Sequence, residues 1–220
     1  MTVSGITGPT GAGKTTALEV LARLGFQAVD CDALYYELLR RDGQLRQALA
    51  DAFGPVFLPD GSLDRRSLAA RVFGDKNELE RLNAIVYPAV FTAVEQKIQK
   101  CSQIGLPIDA VNLVESGLGM LCDITVAVTA APEIRCKRTM ARDGLSEEQA
   151  QARLRAQRPD SYSREHCTLL LVNQAEDRAA FGALMGSFFE DLLFLLNGGR
   201  ASDGSKGMEG KGTFPQEERL

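Results

Sequence analysis

The stretch GPTGAGKT occupies residues 8–15 and directly follows an apolar segment that begins at Thr2. It matches the pattern in which a glycine, four residues and a second glycine precede a lysine and then a serine or threonine. Backbone N–H groups of such a loop point inward onto phosphate oxygens, and Gly8, Gly11 and Gly13 allow backbone geometries that side chains would obstruct. The stretch therefore predicts a polyphosphate-binding loop between a first strand and a first helix.

Two side chains at the end of this loop have defined roles in the pattern. Lys14 supplies a mobile positive charge for the β- and γ-phosphates of a nucleotide, and the Thr15 hydroxyl can coordinate Mg²⁺. The amides and dipole at the start of the next helix, predicted at residues 15–24, favour the same anions. A glycine-rich turn that binds nothing is the alternative, but the flanking strand and helix argue against it.

Five short apolar segments predict the strands of one sheet. They lie at residues 2–7, 26–29, 108–114, 124–128 and 169–172. Because they alternate with helical patterns, the sheet is expected to be parallel and covered on both faces. The predicted fold class is α/β, with three α/β/α layers and a five-stranded parallel sheet.

The second and third predicted strands are about 70 residues apart, far more than an ordinary crossover needs. Helical patterns fill this stretch at residues 34–52, 65–73 and 79–100. We expect a nucleotide-binding core at residues 1–32 and 105–197 and a helical acceptor-binding insertion at residues 33–104. The Gly-, Ser- and charge-rich residues 198–220 cannot bury enough apolar surface to fold alone and are interpreted as a flexible tail.

A basic segment follows the fourth predicted strand. Residues 132–158 are helical by pattern and carry Arg135, Lys137, Arg138, Arg142, Arg153, Arg155 and Arg158. A charge run is usually a solvated helix face. Ligands of open α/β sheets, however, bind beyond the carboxyl ends of the strands. We therefore expect a phosphate-contacting lid at about residues 132–160.

Composition and charge exclude several classes of protein. The net charge of −4 argues against general electrostatic binding to nucleic acid. The most apolar stretch, residues 181–196, contains Glu190 and Asp191 and is too short to span a bilayer. Five scattered cysteines without metal-ligand spacing are typical of reduced thiols, and a signal-peptide pattern is lacking at the first residues. We expect a cytoplasmic protein that binds neither membrane nor nucleic acid.

Two carboxylates follow the second predicted strand, at Asp30 and Asp32, and are expected beside the phosphate loop. Phosphoryl transfer to a hydroxyl needs an acceptor oriented in line with the γ-phosphate, and a nearby Asp can take the proton that leaves. Our hypothesis makes Asp32 the base or acceptor-orienting group and Asp30 a supporting or metal-water contact. Alternatively, one of them caps the next helix.

Several ordered segments together resemble the dephospho-coenzyme A kinase family, over most of residues 2–178. They are the phosphate loop, LGF at residues 24–26, DCD at 30–32, GSLDRR at 61–66 with Leu68 and Val72-Phe73, LNAIVYP at 82–88, KRTMARD at 137–143 and Ala156-Gln157. Tyr87 stands where the family usually has His, and Asn112-Leu113-Val114-Glu115 stands where it commonly has Pro-Leu-Leu-Phe-Glu. Asn173-Gln174-Ala175 replaces a common Asn-Asn-Gly.

This resemblance implies a P-loop kinase that phosphorylates the ribose 3′-hydroxyl of dephospho-coenzyme A with ATP and Mg²⁺. We expect a monomer or weak homo-oligomer. The resemblance also implies catalytic roles for Lys14, Asp32 and Arg142, and acceptor contacts from Asp32, Arg65 and Tyr87. Thr15 would hold the metal. The residues implied in ATP binding are Gly8, Gly11, Ala12, Gly13, Lys14, Thr15, Thr16 and Arg138.

Three alternatives stay open at this point. Another small-molecule kinase, for a nucleoside monophosphate, shikimate or gluconate, would share the loop and the lid. A nucleotide-switched module such as a GTPase is weakened because no Asn-Lys-x-Asp stretch follows the fourth or fifth predicted strand. A degenerate, non-catalytic homologue is the third, although Lys14, Thr15, Asp32 and Arg142 are all intact.

Overall fold

The computed structural model describes residues 1–72, 74–175 and 177–196. Phe73, the end of the predicted core at residue 197 and the predicted tail at residues 198–220 lie outside the described residues. The centre is a five-stranded parallel sheet with strand order β2-β3-β1-β4-β5. The strands are β1 (Thr2–Thr7), β2 (Val29–Asp30), β3 (Gly105–Asp109), β4 (Ile124–Thr129) and β5 (Leu169–Val172). The predicted α/β fold class is confirmed, and β1 and β5 have the bounds that the sequence predicted.

Helices cover both faces of this sheet, which makes three layers. The helices are α1 (Lys14–Arg23), α2 (Cys31–Arg41), α3 (Gly43–Phe53), α4 (Arg65–Val72), α5 (Lys76–Lys100), α6 (Pro132–Asp143), α7 (Glu147–Arg155), α8 (Asp160–His166) and α9 (Arg178–Leu196). On one face, α1 and α9 pack over apolar side chains such as Ile6 and Val126. On the other face, α2 and α5 pack over Val3 and Ile108. The period-2 alternation of a strand explains why neighbouring side chains enter different layers.

The third strand was predicted wrongly. The sequence placed it at residues 108–114, whereas β3 ends at Asp109. The apolar run continues because Leu113 is fully buried from within a turn, where its side chain fills the space beside Gly5. Gly105 and Pro107 conceal the true strand, since both are poor strand formers. Burial here is therefore not a sign of strand structure.

The second strand and the first insertion helix also differ from the prediction. Residues 26–29 were expected to form the strand, but only Val29 and Asp30 pair with β3, and Phe26 packs into the core instead. The single helix predicted at residues 34–52 is two helices, because the Asp42 side chain accepts hydrogen bonds from the amides of Gln44 and Leu45 and starts α3.

Helices α2 to α5 share a separate apolar cluster at one end of the sheet. Its fully or nearly buried members include Leu49, Phe53 and Val56. The cluster lies between the helices of the stretch that follows β2, and it packs them against one another independently of the sheet. This arrangement gives the insertion an apolar core of its own.

The basic segment at residues 132–158 contains two helices, α6 and α7, and α8 begins just after it at Asp160. Gly144, with φ of 65°, ends α6 in the left-handed region, and Ser146 begins α7 with a capping box that includes Gln149. Within the described residues, no helix has the length and apolarity needed to cross a membrane.

Candidate active site

The phosphate loop lies at the carboxyl end of β1, and its path is fixed by close packing. Gly11 and Gly13 have φ values of 79° and 113°. A Cβ atom on Gly11 would lie 2.6 Å from the carbonyl oxygen of Arg135, and one on Gly13 would lie 2.6 Å from Nδ2 of Asn173. At Gly8 the corresponding distance to the carbonyl oxygen of Val128 is 2.2 Å. All three positions therefore exclude any side chain, for both conformational and steric reasons.

A buried amide holds the centre of the loop. Asn173 follows β5 and is 2% exposed. Its Nδ2 donates a hydrogen bond of 2.8 Å to the carbonyl of Ala12, and its own amide donates to Thr129. Because each end of this residue is bonded, it ties the loop to the ends of β4 and β5. The sequence linked Asn173 only to a family motif, and the structure gives it this positioning contact.

Lys14 forms an ion pair with Asp109, the last residue of β3. Both side chains are largely buried, with exposures of 18% and 17%. The sheet order explains the pairing, because β3 lies directly beside β1 and separates it from β2. Asp30 and Asp32, which were expected beside the loop, lie at the end of β2 and just after it, and are thus separated from β1 by the width of β3. Asp109 was missed because the strand predicted at residues 108–114 placed it near the start of a strand and not at the end.

Asp30 ends the next strand out from the loop, and Asp32 follows it. Both are near enough to Asp109 for their charges to affect it. Asp30 pairs in register with Asp109. Burial, opposed by Lys14 and reinforced by these two carboxylates, raises the pKa of Asp109. Asp30 accepts a hydrogen bond of 2.9 Å from the amide of Ala33, so the helix-cap alternative is confirmed for it. Asp32 lies exposed in the first turn of α2.

A cavity of about 660 Å³ opens above the loop. This volume is in the range of small-molecule and cofactor sites. Lys14, Thr15 and Thr16 line it from the loop side. Three arginines from the segment after β4 line it from the other side, namely Arg138, Arg142 and Arg153. The cavity is thus cationic on two walls, as polyphosphate binding requires.

The three arginines are held differently. The Arg138 guanidinium lies 3.4 and 3.5 Å from the carbonyl oxygens of Gly11 and Ala12, at the outer limit of a hydrogen bond. Arg142 binds Asp143 through two contacts of 2.7 and 2.8 Å, and Arg153 binds the same carboxylate at 2.8 Å. Asp143 therefore holds two cations at the cavity rim, and these bonds lower its pKa.

The other two predicted acceptor residues lie away from this cavity. Arg65 stacks its guanidinium 4.0 Å from the ring centre of Tyr36, on the insertion. Tyr87 belongs to α5, where burial and the nearby Glu115 raise the pKa of its hydroxyl while a contact with Asn112 lowers it. Two residues that depart from the family pattern, Tyr87 and Asn112, thus lie near each other.

Tyr87 also lies at the junction of three parts of the chain. Glu115 comes from the loop after β3, and Arg158 from the connection between α7 and α8. Arg158 Nε lies 3.4 Å from Glu115 Oε1, and its guanidinium lies 5.1 Å from the ring centre of Tyr162. Core, insertion and basic segment thus meet at one polar cluster, which the sequence did not predict because its members are distant along the chain.

Comparison with known proteins assigns the chain to a family. The model of the family described as dephospho-CoA kinase matches residues 2–178. The chain belongs to the dephospho-CoA kinase family. The dephospho-CoA kinase of Anaeromyxobacter dehalogenans is 36% identical over 204 residues, which cover 91% of this chain and 94% of that protein. The dephospho-CoA kinase of Geobacter sulfurreducens is 35% identical over 163 residues, which cover 72% of this chain and 83% of that protein.

Solved structures agree with the fold. The crystal structure of TT1252 from Thermus thermophilus is 32% identical, with a TM-score of 0.71 and coverage of 86% of this chain and 97% of that one. The predicted resemblance to the dephospho-CoA kinase family is therefore confirmed. Six of the donor-side residues predicted from the sequence line one cavity, namely Gly11, Gly13, Lys14, Thr15, Thr16 and Arg138, whereas Gly8 and Ala12 do not. Arg65 and Tyr87 contact residues outside that lining.

Proposed function

We propose that this chain catalyses ATP-dependent phosphorylation of the ribose 3′-hydroxyl of dephospho-coenzyme A, which gives coenzyme A and ADP. One observation carries the proposal: a phosphate loop faces an arginine-lined cavity in a chain whose match to the dephospho-CoA kinase family covers residues 2–178. Family membership supports dephospho-coenzyme A as the acceptor, and the residues that line the cavity support a nucleoside triphosphate as the phosphate donor.

On the donor side, the proposal gives ATP to the loop. The amides of Gly8, Gly11, Ala12 and Gly13 would hold phosphate oxygens, and Lys14 would exchange its Asp109 partner for the phosphates. The side chains of Thr16 and Arg138 line the same cavity. Thr15 lies in the first turn of α1, at the positive end of the helix, where phosphate oxygens are favoured.

The residues around Thr15 fit Mg²⁺. The Thr15 hydroxyl is exposed at the cavity, Asp109 ends β3 beside β1, and Asp32 lies in the first turn of α2, near enough to Asp109 to affect its pKa. Hydroxyl, carboxylate, water and phosphate oxygens are the ligands that this ion prefers. Thr15 would hold the ion, with a carboxylate reaching it directly or through water. Bound Mg²⁺ would neutralise charge on the phosphate oxygens.

The transfer itself needs a proton acceptor and a positive rim. Asp32 would take the proton of the 3′-hydroxyl as that oxygen forms a bond to the γ-phosphorus and the bond to the ADP oxygen breaks. Arg142 would stabilise the transferring group, released from or shared with Asp143. Such chemistry depends on positioning and charge neutralisation, so it requires no covalent intermediate on the protein.

The insertion would bind the acceptor. Arg65 presents a guanidinium on its surface, which is suited to a diphosphate, and Tyr87 lies where the insertion meets the core. Helices α6 to α8 would close over the nucleotide as a lid. We further propose a cytoplasmic monomer or weak homo-oligomer that acts on this small molecule and not on nucleic acid.

The test is an acceptor panel. Purified protein is given ATP, Mg²⁺ and one of dephospho-coenzyme A, AMP, shikimate or gluconate, and the phosphorylated product is identified by mass spectrometry. Rapid formation of coenzyme A with dephospho-coenzyme A alone supports the proposal. Preference for AMP or a metabolite assigns the site to another small-molecule kinase, and background turnover with every acceptor assigns it to a non-catalytic homologue.

A further inference from the structure

Every polar group of Thr10 is bonded by two side chains from the segment after β4. Gln157 Oε1 accepts a hydrogen bond of 3.2 Å from the Thr10 amide, and Gln157 Nε2 donates one of 2.9 Å to the Thr10 hydroxyl. Arg135 Nε donates one of 3.1 Å to the Thr10 carbonyl. Thr10 is thus bound at its amide, hydroxyl and carbonyl.

The two side chains also bind each other. Arg135 Nη2 donates a hydrogen bond of 2.8 Å to Gln157 Oε1, and its Nη1 lies 3.5 Å from Asp160 Oδ1. Arg135 is 6% exposed, so its charge is held away from water by these partners. A buried guanidinium with a fixed set of acceptors is costly to move, which makes this cluster rigid.

Arg135 was one of seven basic residues that the sequence assigned to a phosphate-contacting segment. Within the described residues, neither it nor Gln157 lines the cavity above the loop, whereas Thr10 does. Arg135 lies in the first part of α6, and Gln157 lies two residues beyond the end of α7. Both ends of the segment that carries Arg138, Arg142 and Arg153 therefore attach to the same loop residue.

We propose that Gln157 and Arg135 are positioning residues that clamp the phosphate loop at Thr10. The clamp fixes the position of the loop amides relative to the three arginines that line the cavity. Neither positioning residue contacts the nucleotide. This clamp rests on the proposed function only for the identity of the nucleotide, since the predicted effect is on phosphate binding. Nucleotide affinity should then depend on Gln157 although it lies outside the cavity.

The experiment measures ATP affinity by calorimetry and steady-state kinetics on four variants. Gln157→Met keeps the length of the side chain and removes all its hydrogen bonds with Thr10. It should weaken ATP binding about tenfold and raise the KM for ATP equally, with the KM for dephospho-coenzyme A unchanged. Thr10→Val should weaken ATP binding about threefold, and Thr10→Ser, which keeps the hydroxyl, should restore it.

The fourth variant combines Thr10→Val with Gln157→Met. Because the hydroxyl acts through Gln157, the pair should be no weaker than Gln157→Met alone. Gln151→Met, an exposed glutamine of α7, is the matched control and should bind ATP normally. Additive losses in the pair, or unchanged ATP affinity with a lowered melting temperature, would show a merely structural role and overturn the clamp. Lack of turnover with dephospho-coenzyme A would instead overturn the proposed function. The ranking of the variants by ATP affinity, measured by calorimetry, would still test the clamp.

Discussion

The phosphate loop and the helical insertion are fixed in different ways. The loop is held by contacts that leave no freedom: three glycines meet backbone or amide atoms within 2.6 Å of an added Cβ, and Asn173 binds the loop carbonyl at Ala12. The insertion is held by its own apolar cluster and presents Arg65 as an exposed side chain stacked on a neighbouring ring. The comparison teaches that the phosphate loop is fixed by steric exclusion and buried hydrogen bonds, whereas the insertion is fixed by apolar packing and leaves the cation of Arg65 at its surface.

The largest effect should come from the donor half. Lys14→Ala should lower kcat about 10³-fold, because it removes a positive charge from the transferring phosphoryl group. It also leaves the buried Asp109 carboxylate without its ion-pair partner. Turnover is measured with dephospho-coenzyme A at saturating ATP. Lys100→Ala, at an exposed position of α5, is the matched control. An unchanged rate in Lys14→Ala would remove this residue from the catalytic set.

Asp32 lies between the two halves, and its variant tests how they meet. Asp32→Asn should lower kcat about 10²-fold by removing the proton acceptor while leaving the ATP dissociation constant unchanged. Asp51→Asn, an exposed change on α3, provides the control for the loss of one negative charge. If ATP affinity falls and kcat does not, Asp32 belongs to the nucleotide site and the base must be sought elsewhere.

Two glycines with positive φ separate the cost of conformation from the cost of crowding. Gly25 has φ of 90° but has no atom within 4 Å of an added Cβ, whereas Gly13 has φ of 113° and meets Asn173 and Phe181. Gly25→Ala should reduce the free energy of unfolding by about 1 kcal/mol and leave ATP binding unchanged. Gly13→Ala should reduce the free energy of unfolding, measured in urea, by at least as much. It should also weaken ATP binding about tenfold.

Equal ATP affinity in Gly13→Ala and Gly25→Ala would contradict the view that the loop geometry is fixed by packing. A selective loss at Gly13 would instead support it, since both variants carry the same strain of a side chain in the left-handed region. Chemical denaturation and calorimetry on the same preparations distinguish the two outcomes.

The same contrast explains how much of the molecule could be predicted from its sequence. The loop, β1 and β5 were predicted closely because each is encoded in a short local pattern. Asp109 was missed, since its importance depends on which strand lies beside β1, and sheet order is not written in any single segment. Leu113 misled the prediction of β3 because burial in a turn resembles burial in a strand. The Thr10 contacts with Gln157 join residues 147 positions apart, beyond the reach of local patterns.

The smallest effect should come from the insertion surface. Arg65→Ala should raise the KM for dephospho-coenzyme A about fivefold and leave the KM for ATP unchanged, because it removes one exposed cation from the proposed acceptor platform. Arg66→Ala is the matched control, since Arg66 is the next residue, is also exposed and carries the same charge. Equal effects of the two changes would indicate only general attraction of an anionic substrate. A rise in the KM for ATP in Arg65→Ala would place this arginine in the donor half and break the division between the two regions.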